Sequence, residues 1–125
     1  MKRLKFVEKS SPNFDERGRA VDMIVLHYTG MLSGAEALAR LADAASKVSC
    51  HYLVEEDGTI FSLVPEGKRA WHAGVSFWRG ETETNARSIG VEIVNPGHEW
   101  GYRPFPKKQI DMVVALVKDI RTRHN

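Results

Sequence analysis

"VDMIVLHYTG", residues 21–30, is apolar for most of its length and then delivers a histidine, a tyrosine, a threonine and a glycine in succession. Alternation sets Met23, Val25 and His27 on one face and Ile24, Leu26 and Tyr28 on the other, so both faces are mostly apolar. Residues 22–28 are therefore predicted to form a central strand of an α/β sheet, covered above and below. Polar groups crowded at the strand end raise the prospect of a site there, because α/β sheets build sites where strands terminate.

Outward from this strand the chain alternates between the two secondary-structure periods. "SGAEALARLADAAS" opens with Ser33 and has Glu36 three residues later, a capping-box pattern, and predicts a helix over residues 34–45. "CHYLVEEDGTIFSLV" predicts a hairpin turning at Asp57-Gly58. Residues 65–87 show no sustained period and are expected to be a long functional loop. "SIGVEIV", residues 88–94, is a further strand with Ile89, Val91 and Ile93 on one face and Gly90, Glu92 and Val94 on the other. Pro106 stands where a helix begins, followed by a stripe of Ile110, Val113, Val114, Val117 and Ile120. Residues 1–20 are polar and turn-rich, which predicts an irregular segment.

The 125 residues suit one ordinary domain. The 18 basic and 16 acidic residues are interspersed, leaving a formal charge of +2, so no nucleic-acid footprint stands out. One cysteine, Cys50, rules out an internal disulfide framework. The basic start lacks a following apolar run, and no segment approaches the ~20 residues of a spanning helix. With neither export signal nor transmembrane segment, the expected compartment is the cytoplasm, the periplasm or envelope being the alternative. The sequence is silent on oligomeric state.

Several side chains could carry chemistry. His27 reads either as a metal-bound imidazole or as a hydrogen-bonded core histidine. Glu92 lies within an apolar strand, where an ionised carboxylate costs several kcal/mol, in the range of about 3–5, unless something compensates. It reads either as a general base or as the partner of Arg69 or Arg87. His51 and His72 are candidate ligands or substrate contacts, though neither has a zinc-helix spacing. Trp71, Trp78 and Trp100 either line a groove or cover the sheet. Ser49, Ser76 and Ser88 lack a nucleophile elbow, and Cys50 and His51, adjacent on a strand, point to opposite faces.

The strings "VLHYTG", "SCHYLVEEDGTIFSLVPEGKRAWHAG", "SFWRG" and "NARSIGVEIVNPG", in this order and spacing, resemble the zinc-dependent N-acetylmuramoyl-L-alanine amidases of the type 2 amidase family, relatives of phage lysozyme-like amidases and peptidoglycan recognition proteins. The likeness runs from about residue 11 to the end. It implies a mixed central β-sheet with helices packed on it and zinc in a groove at one edge. By resemblance the metal ligand falls on His27 and the catalytic acid on Glu92. Substrate contacts fall on Lys47, His51, Trp71, His72, Ala73, Gly74 and Asn85.

The implied reaction is zinc-dependent hydrolysis of the amide between N-acetylmuramic acid and L-alanine, in peptidoglycan or muropeptide fragments. The family's remaining zinc ligands follow its long helix, in a segment expected beyond Asn125. The 125-residue chain is thus read as a C-terminally incomplete amidase domain, itself expected to be a poor or inactive catalyst. The alternative is a non-catalytic module that binds peptidoglycan or muropeptides.

Overall fold

The computed structural model describes residues 4–73, 83–101 and 103–124, the Glu99 side chain excepted. Among the described residues seven strands appear in chain order, β1 (Phe6–Glu8), β2 (Phe14–Glu16), β3 (Met23–Tyr28), β4 (Tyr52–Val54), β5 (Ile60–Ser62), β6 (Lys68–Ala70) and β7 (Ser88–Ile93). Three α-helices accompany them, α1 (Gly34–Leu41), α2 (Thr84–Arg87) and α3 (Lys107–Arg121).

Five strands form one mixed sheet in the order β1-β5-β4-β7-β3. β4 and β5 are the antiparallel hairpin; the other neighbours run parallel. The hairpin turn closes through the Gly58 N–H on the Glu55 carbonyl, with Gly58 at φ 93°, a conformation glycine adopts without a Cβ penalty.

Period-2 alternation sorts the side chains of the sheet between its two faces. Ile89, Val91 and Ile93 pack with Val113, Leu116 and Ile120 of α3; of the expected stripe Ile110 and Val114 are exposed, and Leu116, which lay outside it, takes a core place instead. On the other face Leu53 packs with Ala37 and Leu41 of α1. Each fully buried aliphatic side chain here contributes about 1.5–3 kcal/mol. Ser33 caps α1, its Oγ accepting the Glu36 N–H at 3.2 Å. α1 ends at Leu41, and the residues expected to extend it form a separate 3-10 turn, Ala44–Ser46, begun by the Asp43 carboxylate on the Ala45 N–H. Gln109 fastens α3 across the sheet ends, its Nε2 donating to the Val54 and Val94 carbonyls.

Three expectations are corrected. β3 is an edge strand, paired among the described residues with β7 alone, and Leu26 and Tyr28 are exposed. Apolar alternation reports what lies over and under a strand; lateral pairing is made by backbone groups and leaves no side-chain signature. The N-terminal segment is not wholly irregular, since β1 joins the main sheet and β2 pairs antiparallel with β6. Nor is the stretch 65–87 all loop. β6 and α2 lie within it, β6 held to β2 by Asp15 with Arg69 and Glu16 with Lys68. Among the described residues no helix is long and apolar enough to cross a membrane.

Candidate active site

His27 of β3 and Glu92 of β7 are register partners. In a parallel pair such partners share a face, here the face that carries α1 and carries Ser88 and Gly90 earlier in β7. Both stand toward the C-terminal ends of their strands. Trp71, His72 and Glu92 line a cavity of about 190 Å³ together with Thr29, Met31, Ala37, Arg40, Leu41 and Val48. His27 joins it through His72, with Nε2 of His27 3.0 Å from Nδ1 of His72 and the two rings edge to face.

Glu92 has the electrostatics of a proton carrier. Burial pushes its carboxyl up to about 7, opposed in part by the charge of Arg40. At neutral pH the group is therefore poised between acid and base. The two arginines that offered an ion-pair explanation are engaged with other acids, Arg69 with Asp15 and Glu83, Arg87 with Asp22. Burial lowers the pKa of His27. Burial, then the neighbouring charges of His27, His51 and Arg17, take His72 down to about 3, so its imidazole is neutral at physiological pH.

The wall behind His72 is built by short-range contacts. Asn85 Oδ1 accepts the backbone N–H groups of His72 and Ala73 at 3.2 and 2.8 Å, so Asn85 holds this stretch of backbone in place. The His72 ring lies directly over Gly90, where a Cβ would sit 2.5 Å from ring carbon. A glycine within a strand marks such a close approach. That signal, together with Gly90 sharing the face of Glu92, was available in the sequence; Arg40 and Ser88 carried none.

Two other expected groove residues, His51 and Lys47, lie elsewhere. His51 is fully buried, a correction to its expected place in the groove. Its Nδ1 accepts the Gly90 N–H and its Nε2 faces the Lys68 carbonyl at 2.9 Å, so both ring nitrogens are used inside the wall. Lys47 is exposed in left-handed conformation after the Ala44–Ser46 turn and is not among the residues lining the cavity. Gly74, Ser76 and Trp78 lie outside the described residues. Trp100 is 55% exposed, neither core nor cover. Cys50 is fully buried with its thiol donating to the Tyr52 carbonyl, which leaves it no role as a nucleophile.

Among the described residues no group of three or more His, Cys, Asp or Glu side chains could hold a metal ion. A zinc site takes about three protein ligands, so the described side chains do not make one by themselves.

An α/β protein with a mixed sheet and a polar groove at the ends of its parallel strands is the class this architecture defines. Comparison with known proteins narrows it. The profile of the N-acetylmuramoyl-L-alanine amidase family, Amidase_2, matches residues 17–125, and the chain belongs to that family. N-acetylmuramoyl-L-alanine amidase AmiD of Escherichia coli (strain K12) is 37% identical over 137 residues, covering 95% of this chain and 49% of AmiD. 1,6-Anhydro-N-acetylmuramyl-L-alanine amidase AmpD of Citrobacter freundii is 51% identical over 47 residues, 38% of this chain and 25% of AmpD. This chain thus spans about half the length of AmiD.

Among solved structures, a selenomethionine AmpD superposes with TM-score 0.80 at 29% identity, covering 94% of this chain and 74% of that one. The complex of E. coli AmiD with the substrate anhydro-N-acetylmuramic acid-L-Ala-D-gamma-Glu-L-Lys gives TM-score 0.74 at 36% identity, covering 92% and 47%. The mixed sheet with helices on it is the fold of these amidases.

Proposed function

We propose that this protein hydrolyses the amide bond between N-acetylmuramic acid and L-alanine in peptidoglycan or its muropeptide fragments. The observation that carries this reading is the register pairing of His27 with Glu92 on one face of the sheet, beside a cavity lined in part by Glu92, whose carboxyl burial pushes up to about 7. Family membership and the anhydromuropeptide held by AmiD support the choice of substrate.

In this reading Glu92 takes a proton from the attacking water as the amide carbonyl becomes tetrahedral. It then returns that proton to the leaving nitrogen of L-alanine, so one carboxyl serves as base and then as acid. Neutral His72 offers a hydrogen-bond partner beside it without adding positive charge. Trp71 contributes an apolar face to one side of the cavity.

Zinc dependence belongs to the same proposal. His27 is the ligand this chain would contribute, and the other ligands would come from residues other than those described. A bound zinc ion supplies Lewis acidity and a water that ionises near neutrality.

The test is incubation of the protein with an anhydromuropeptide, followed by mass spectrometry of the products. Release of an intact stem peptide beginning with L-alanine is expected. Binding without cleavage, with zinc supplied, would instead identify a muropeptide-binding module.

A further inference from the structure

The hydrogen bonds around His72 fix where its proton sits. Ser88 Oγ is 2.7 Å from the Thr84 carbonyl oxygen, and since a carbonyl only accepts, the hydroxyl proton is committed there. His72 Nε2 is 3.0 Å from the same Oγ. With the Ser88 proton already spent, Nε2 must be the donor in that bond. Among the described residues the ring nitrogens meet only a hydroxyl and an imidazole, with no carboxylate to hold a second proton, so the ring carries a single N–H and Nδ1 is left a bare lone pair. That lone pair faces His27 Nε2, so His27 donates to His72 and not the reverse.

We propose that Ser88 is a positioning residue which, relayed to the Thr84 carbonyl, locks His72 in its Nε2–H tautomer, so that Nδ1 meets the groove only as a hydrogen-bond acceptor. The surroundings remove the alternatives. Ser88 is fully buried, so no solvent competes for its hydroxyl. The ring packs against Gly90 with each nitrogen on its own partner, and Asn85 holds the backbone on both sides of the His72–Ala73 peptide.

A consequence follows for substrate orientation, and it rests on the amidase reading above. Any group that takes the place of His27 at Nδ1 has to bring an N–H or O–H. The nitrogen of the scissile amide qualifies; the carbonyl and carboxylate oxygens of a stem peptide do not. His72 therefore favours the orientation in which the amide N–H is turned toward it.

Long-range 1H–15N NMR of the imidazole rings, on the full chain in chelator and without substrate, reads the tautomer directly. A single His72 form with its proton on Nε2 is expected. A proton on Nδ1, a doubly protonated ring or a rapidly averaged pair overturns the proposal, whatever the enzyme's substrate proves to be. In Ser88→Ala the His72 nitrogens are expected to move to the averaged pattern while those of His51 stay in place. An unchanged His72 spectrum in that variant would remove Ser88 from the role. The wild-type spectrum decides the proton position even if Ser88→Ala does not fold.

Discussion

His27 and Glu92 are register partners in neighbouring parallel strands, so an imidazole and a carboxyl leave the same face of the sheet at the same level. Their strands differ in setting. β3 is an edge whose His27 is half-buried, whereas β7 lies between β4 and β3 and pushes the carboxyl of Glu92 to about 7 by burial. The pair thus sets one group suited to holding a ligand beside one suited to moving a proton.

Gly90 is predicted to tolerate no side chain. A Cβ there would stand 2.5 Å from the His72 ring, well inside van der Waals contact. Gly90→Ala should cost about 1–3 kcal/mol through overpacking and displace His72. Urea unfolding checks the first effect and the His72 ring signals in NMR the second. Wild-type stability together with an unmoved ring would contradict the close approach.

Arg17 should be among the most sensitive positions outside the groove. Its buried guanidinium donates to the carbonyls of Glu66, Lys68, Ala86 and Ser88, tying the β6 segment to the start of β7. Arg17→Ala would strand several buried carbonyls, with an expected cost of about 3 kcal/mol or more. Arg17→Lys should restore little, because an ammonium cannot reproduce the planar fork. Denaturant midpoints of the two variants provide the comparison.

Glu92 and His51 make stability depend on pH with opposite signs. Glu92, raised from 4.5 to about 7 by burial, binds its proton more tightly in the folded chain, so its contribution is present below pH 4.5 and is lost as pH rises through 7. His51, lowered from 6.5 to about 4 chiefly by burial, is neutral when folded; its contribution is present above pH 6.5 and is lost as pH falls through 4. Each shift corresponds to about 3 kcal/mol. In chelator, the stability of Glu92→Gln relative to wild type should therefore rise by about that amount between pH 4 and pH 8. A difference that stays flat across this range would remove the buried, raised carboxyl from the account.

Much of this architecture was legible in the sequence because it rests on local periods. Ile89, Val91 and Ile93 against Gly90 and Glu92 gave both the strand and the odd carboxylate. Ser33 with Glu36, and Pro106 with its apolar stripe, gave two helix starts. What was not legible depends on contacts between distant residues. A three-residue strand such as β6 has too few positions to show a period, and its pairing with β2 is set by ion pairs such as Asp15 with Arg69, 54 residues apart. His51 has the same origin: alternation gives its face, but only the Lys68 carbonyl and Arg17 packed over it make it part of the wall. The resemblance supplied His27 and Glu92 as a pair, and geometry added that they share one face.

The most direct test of the central claim, that Glu92 moves the proton at a groove it shares with His27, is the rate of stem-peptide release by Glu92→Gln, measured with zinc supplied and bound metal quantified in the same sample. The account predicts turnover lost by a factor of about 100 or more, the scale of a general acid–base contribution, with bound metal unchanged. Release at the wild-type rate would contradict it.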